Sequence, residues 1–167
     1  GGVGKKLPYT YCFMLIGTLA LTGFPFLSGF YSKDAIIEFS YLKNSSLGNY
    51  AATIGILTAF LTSIYSWRLF LKTFHGPYNN KKMSINETHE SPLIMLSPLF
   101  FLSIGAIFSG YLFKNTFIGE QSNDFWQTSI FFLNEIKYEA IPKWFLLTTP
   151  SLILISIPIS FYLYILN

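Results

Sequence analysis

Four stretches of this chain, residues 7–32, 47–67, 91–113 and 144–167, contain no Asp, Glu, Lys or Arg. Each is long enough to cross a bilayer as a helix, which takes about 20 residues. Within hydrocarbon every backbone N–H and C=O has to find its partner inside the chain, and apolar runs of this length do so by becoming helices. The pattern therefore predicts an all-α membrane protein with about four transmembrane passes and no soluble domain. Composition points the same way: 11% of the residues are charged and 51% hydrophobic, where a soluble domain carries roughly 25% charged residues.

The first run changes character in GFPFLSGFYSKDAIIE, residues 23–38. Pro25 removes a backbone donor and clashes with the preceding turn, while Gly23 and Gly29 loosen the backbone on either side. A discontinuous helix is expected, its halves near 9–22 and 29–41. Irregular backbone at membrane depth survives only where protein or a water-filled cavity surrounds it. The segment ends in Lys33, Asp34 and Glu38, and ionisable groups beside a broken membrane helix mark an ion pathway.

The second pass is expected over 49–74, ending in the cationic Arg68, Lys72 and His75 before the breaker pair Gly76-Pro77, as suits a helix C-terminus. A polar loop follows over 78–90, then a third pass over 92–113 with Pro98 early in it. The last pass starts at Lys143-Trp144 and is kinked by Pro150 and Pro158. The chain thus divides into three passes with the break near 23–29 (residues 1–113), an interfacial loop (114–142) and a last transmembrane helix (143–167). That loop carries Glu120, Asp124, Glu135 and Glu139 around an apolar patch too short to span a membrane.

Lys5, Lys6, Arg68, Lys72, Lys81 and Lys82 fall on one side, whereas Lys43, Lys114, Lys137 and Lys143 on the other are offset by more acids, so the positive-inside rule places both termini inside. Because the basic residues sit at the ends of hydrophobic runs and not along an amphipathic stripe, the net charge of +3 reads as topology and argues against a nucleic-acid partner. The single cysteine, Cys12, lies in an apolar run and is expected to be a small buried hydrophobe. No disulfide framework, zinc motif or iron–sulfur motif is available. The opening GGVGKK precedes an apolar run longer than a secretory core segment and lacks a small-residue cleavage site, so no cleaved signal is expected.

Lys33 is the leading candidate for chemistry. A lysine facing a bundle interior is desolvated, and a desolvated ammonium exchanges protons more readily than one in water; the competing reading is a side chain that snorkels to the headgroups. Asp34 points about 100° away from Lys33 on a helix and is expected toward an outlet or against a neighbouring helix. Glu38 shares the face of Asp34, so the two acids form either an exit funnel for cations or a solvated helix end. Arg68 either snorkels or serves as an electrostatic partner for an acid outside this chain. His75 and His89 read as solvated loop residues with a side chain suited to proton exchange, and no third ligand nearby suggests a metal site. Thr18, Thr22, Ser28, Thr58, Thr62, Ser63 and Ser66 are able to hold waters or bond across helices, and most of them read as packing residues.

In this order and spacing, LIGTLALTGFPFLSGFYSKDAIIE, SIYSWRLFLKTFHG and HESPLIMLSPLFFLSIGAIFSGYL resemble the chain 5 family of mitochondrial NADH-ubiquinone oxidoreductases. These are the antiporter-like, proton-pumping subunits at the distal end of the membrane arm of respiratory complex I, with multisubunit cation/proton antiporters among their bacterial relatives. The resemblance covers nearly the whole chain and is weak over 117–141. It implies the C-terminal part of such a subunit, within a larger antiporter-like helix bundle, with the upstream part on a separate polypeptide if the gene is split. It further implies a proton-translocating component of NADH:ubiquinone reductase (H+-translocating) that contributes the outlet half of a proton channel, Lys33 being the terminal lysine nearest the outlet. The place so implied is the mitochondrial inner membrane, with both termini on the matrix side, among lipids and other membrane-arm subunits, especially a neighbouring antiporter-like subunit. NADH, FMN, iron–sulfur clusters and ubiquinone are then expected in partner subunits, and no cofactor or redox chemistry in this chain. The alternatives are a subunit of a multisubunit cation/proton antiporter, working without a redox partner, and a structural membrane anchor.

Overall fold

The computed structural model describes residues 1–77, 88–119, 121–127, 129 and 141–166. Most of the polar loop after the second pass, with Lys81 and Lys82, and most of the loop after the third, with Glu120, Glu135, Lys137 and Glu139, lie outside the described residues. The described chain forms α1 (Pro8–Thr22), α2 (Ser28–Leu42), α3 (Ser46–Phe74), α4 (Leu93–Phe117), the short α5 (Ser122–Trp126) and α6 (Lys143–Phe161), which ends in a π-helical turn, Tyr162–Leu166. Three helical segments, Ser46–Phe74, Leu93–Phe117 and Lys143–Ile165, are long and apolar enough to cross a membrane, and Pro8–Thr22 is a shorter apolar helix. The chain is an all-α membrane protein.

Helices α1 and α2 together make the remaining pass. At the start of α1, Tyr11 packs its ring against Phe70 and Phe74 at the end of α3, with centroids 5.1 and 5.2 Å apart. In α2, Lys33 meets Thr62, and further along Ile37 lies against Gly55. The two short helices therefore lie end to end and antiparallel to α3, whose 29 residues rise about 43 Å against a hydrocarbon core of about 30 Å. Helix α4 runs parallel to the broken pass, Phe13 facing Phe100 and Lys114 lying over the Tyr31 ring. Helix α6 runs parallel to α3, from Phe145 near Ala52 to Tyr164 beneath Arg68. Both ends of the described chain consequently lie at one end of the bundle.

The most extensive helix contact is between α3 and α6, and both helices bury small or hydroxyl-bearing residues. These include Ala52, Ala59, Ser63 and Ser66 on α3 and Thr149, Ser156 and Ser160 on α6. Lipid tails are as apolar as Leu, so membrane helices associate where small residues let backbones approach and hydroxyls bond across the gap. Ser63 and Ser156 form such a hydrogen bond, fully buried. Larger side chains gather toward the bundle ends: Tyr41 stacks on Phe145 with centroids 4.2 Å apart, and Trp67, Phe70, Leu71 and Phe74 close the opposite end.

Three details depart from expectation. Helix α3 starts before residue 49 because Ser45 accepts a hydrogen bond from the Gly48 N–H and caps it. Helix α4 continues a turn past residue 113, carrying Lys114 near its C-terminus, where a cation opposes the helix dipole. Cys12 is exposed on α1 and not buried; an apolar side chain in a membrane helix loses nothing by facing outward.

Candidate functional site

The break between α1 and α2 is built by backbone conformation. Gly23 adopts φ 84°, and its N–H bonds to Ala20 O while the Phe24 N–H bonds to Leu19 O. This paired closure is the glycine-terminated helix end that satisfies two of the last carbonyls. The chain then turns over residues 24–27, the Leu27 N–H reaching Phe24 O at 3.2 Å. Pro25 occupies the second position of that turn and Phe26, at φ 73°, the third, the arrangement of a type II turn. Pro25 thus presets a turn outside either helix. Gly29 acts by size: a Cβ there would lie 1.8 Å from Ala20 O, so only glycine lets α2 pass the end of α1.

That close passage places Lys33 beside the end of α1. Its Nζ donates to Thr62 Oγ1 at 2.9 Å and approaches Thr22 O at 3.5 Å. Thr22 is the last residue of α1 and is completely buried. Its carbonyl is one of those a helix C-terminus leaves open, so the ammonium faces the negative end of the α1 dipole. Thr62, near the midpoint of α3, donates in turn to Ala59 O, and Ser66 donates to Thr62 O. The half-buried lysine is therefore held at mid-bundle among hydroxyls and a free helix end.

Asp34 is turned away from this contact and buried at 7% exposure, and neither carboxylate oxygen has a hydrogen-bond partner. Glu38, one turn on, is half-buried. Successive residues of one helix thus carry a hydrogen-bonded ammonium and a buried carboxyl group without a hydrogen-bond partner.

The remaining sequence candidates are not drawn into this cluster. Arg68 is exposed, its guanidinium 5.5 Å from the Tyr164 ring centre, and Lys72 approaches the same ring at 5.8 Å. His75 follows α3 and packs on Tyr11 and Phe70, so it is part of an aromatic group and not a solvated loop residue. His89 is exposed. No group of three or more metal-ligating side chains occurs among the described residues. An apolar groove of about 700 Å³ between the broken pass and α4 is lined by Ala20, Ser28, Gly29, Gly110 and Lys114 and does not include Lys33.

The segment holding Lys33 and both its partners is also the segment that matches a family model. Residues 1–62 match the family described as NADH:quinone oxidoreductase/Mrp antiporter, TM. Across nearly the whole chain, NADH-ubiquinone oxidoreductase chain 5 of Marchantia polymorpha is 46% identical, over 96% of this chain and 23% of that protein. Chain 5 of Phytophthora infestans is 43% identical over 98% of this chain and 25% of its own, and that of Arabidopsis thaliana 44% identical over 84% and 21%. The chain belongs to the chain 5 family. It spans no more than about a quarter of the length of these relatives.

Two features of this chain 5 segment escape a reading of the residues alone. Thr62 stands out from the other hydroxyls only once α2 and α3 are packed together. Glu90, within the HESP run, looks like loop polarity in the sequence, yet its carboxylate bonds to the start of α1.

Proposed function

We propose that this chain supplies the outlet half of a proton path in the membrane arm of NADH:ubiquinone oxidoreductase, with Lys33 as its proton relay. The observation that carries the proposal is the Lys33 Nζ held at mid-bundle between Thr62 and the end of α1, where a snorkelling lysine would not be. When Lys33 gives up its proton, the α1 carbonyl end loses its counter-charge, and that electrostatic change favours reprotonation from the preceding carrier. Asp34 and Glu38 continue the path along α2 toward the opposite membrane surface. Redox chemistry, with NADH, FMN, iron–sulfur clusters and ubiquinone, belongs in this proposal to partner subunits, and the rest of the antiporter-like bundle to sequence outside this chain.

The proposed setting is the mitochondrial inner membrane, both termini on the matrix side. Supporting this orientation, Lys5, Lys6, Arg68 and Lys72 gather with Glu90 at the end of the bundle holding the termini, whereas Lys43, Lys114 and Lys143 at the other end are accompanied by Glu38 and Asp124. Replacing Lys33 by Ala is expected to lower the number of protons pumped per electron in the assembled enzyme. An unaltered ratio in an assembled Lys33→Ala enzyme rejects the relay. Mass spectrometry of what copurifies in mild detergent, with an NADH oxidation assay, separates this setting from a cation/proton antiporter without redox partners.

A further inference from the structure

Helix α1 is held from outside at both ends. At its C-terminus the Lys33 ammonium faces the Thr22 carbonyl. At its N-terminus the carboxylate of Glu90 accepts hydrogen bonds from the Tyr9 N–H at 2.8 Å, the Thr10 N–H at 3.4 Å and the Thr10 hydroxyl at 2.8 Å. The residue that would cap the helix locally is Leu7, which offers no side-chain bond. Glu90 therefore satisfies, from some 80 residues away in sequence, the open amides of a helix start. A carboxylate lies at the positive end of the α1 dipole and an ammonium at the negative end, the favourable sign at each.

We infer that Glu90 is a positioning residue for Lys33, clasping α1 so that the carbonyl end of the same helix stays against the lysine ammonium. A helix is stiff along its axis, and the 15 residues of α1 extend about 22 Å, so a shift at one end reappears at the other. Glu90 stands just before Pro92, the residue that opens α4, and a displacement of α4 along its axis is passed through the clasp to α1 and on to Lys33. This inference rests on the proposed relay at Lys33 and adds a mechanical link from the opposite membrane surface.

The test compares wild-type, Glu90→Ala, Glu90→Gln and Lys33→Ala enzymes in the assembled membrane complex, reading amide hydrogen exchange across α1 and protons pumped per electron. In Glu90→Ala, exchange at Tyr9 and Thr10 is expected to rise about fivefold to tenfold, with the proton ratio falling toward that of Lys33→Ala. Glu90→Gln keeps an acceptor oxygen and is expected to recover much of both. Unchanged exchange at Tyr9 and Thr10 overturns the clasp. Faster exchange with a wild-type proton ratio reduces Glu90 to a helix cap and overturns its positioning role. If Glu90→Ala does not assemble, Thr10→Val, which removes the hydroxyl bond alone, carries the same comparison at smaller amplitude, with Glu90→Gln still the control. A normal proton ratio in Lys33→Ala rejects the relay by itself, and the exchange measurement still judges the clasp.

Discussion

The first and last passes both contain proline, and only one of them breaks. In α6, Pro150 and Pro158 sit inside a helix that continues from Lys143 to Phe161. In the first pass, Pro25 lies between two helices that residues 23–27 keep apart. Proline deletes one helical hydrogen bond and crowds the turn before it, and α6 tolerates that twice while packed along α3, to which Ser156 is hydrogen-bonded. What the first pass has in addition is a left-handed glycine that ends α1, a tight turn, and a second glycine that lets α2 slide past that end. The break is made by conformation and close approach, and it exposes a helix terminus for Lys33 to meet, whereas a proline inside a helix exposes none of comparable charge.

This contrast fails if the glycines prove dispensable. Gly29→Leu is expected to have the largest effect, because a side chain there runs into the Ala20 carbonyl, backbone that has little freedom to yield; loss of assembled complex on a native gel is the readout. Gly23→Ala forces an alanine to φ 84° and is expected to cost about 1–2 kcal/mol, seen as a lower thermal midpoint of the assembled enzyme. Pro25→Ala should cost the least, about 0.5 kcal/mol, since its ring presets a turn that the flanking conformation specifies anyway. The sharper expectation for Pro25→Ala is structural: spin labels at Met14 and Ile36 should keep their wild-type separation. A longer separation, as α1 and α2 join into one straight helix, would restore proline as the cause of the break.

Much of this was visible in the residues. Charge-free runs located the passes, and the halves of the broken helix fall within a residue or so of where Gly23, Pro25 and Gly29 point. The mechanism of the break was not visible, because a glycine required by close approach and one required by a positive φ look alike in a sequence. Nor was the fate of the charges. Lys33 and Asp34 are neighbours in the chain, yet one is bonded and the other buried without a partner. That difference depends on which helix lies against each face.

What the sequence determined by itself is the set of helices and their order across the membrane, since hydrocarbon requires each apolar run to satisfy its own backbone and that requirement is local. Only the tertiary structure decided that Thr22 and Thr62 meet Lys33 and that Glu90 meets the helix beside it. Their contacts join residues 11, 29 and about 80 positions apart. Such pairings follow from how closely small residues let these helices approach, and no local pattern of polarity encodes that distance.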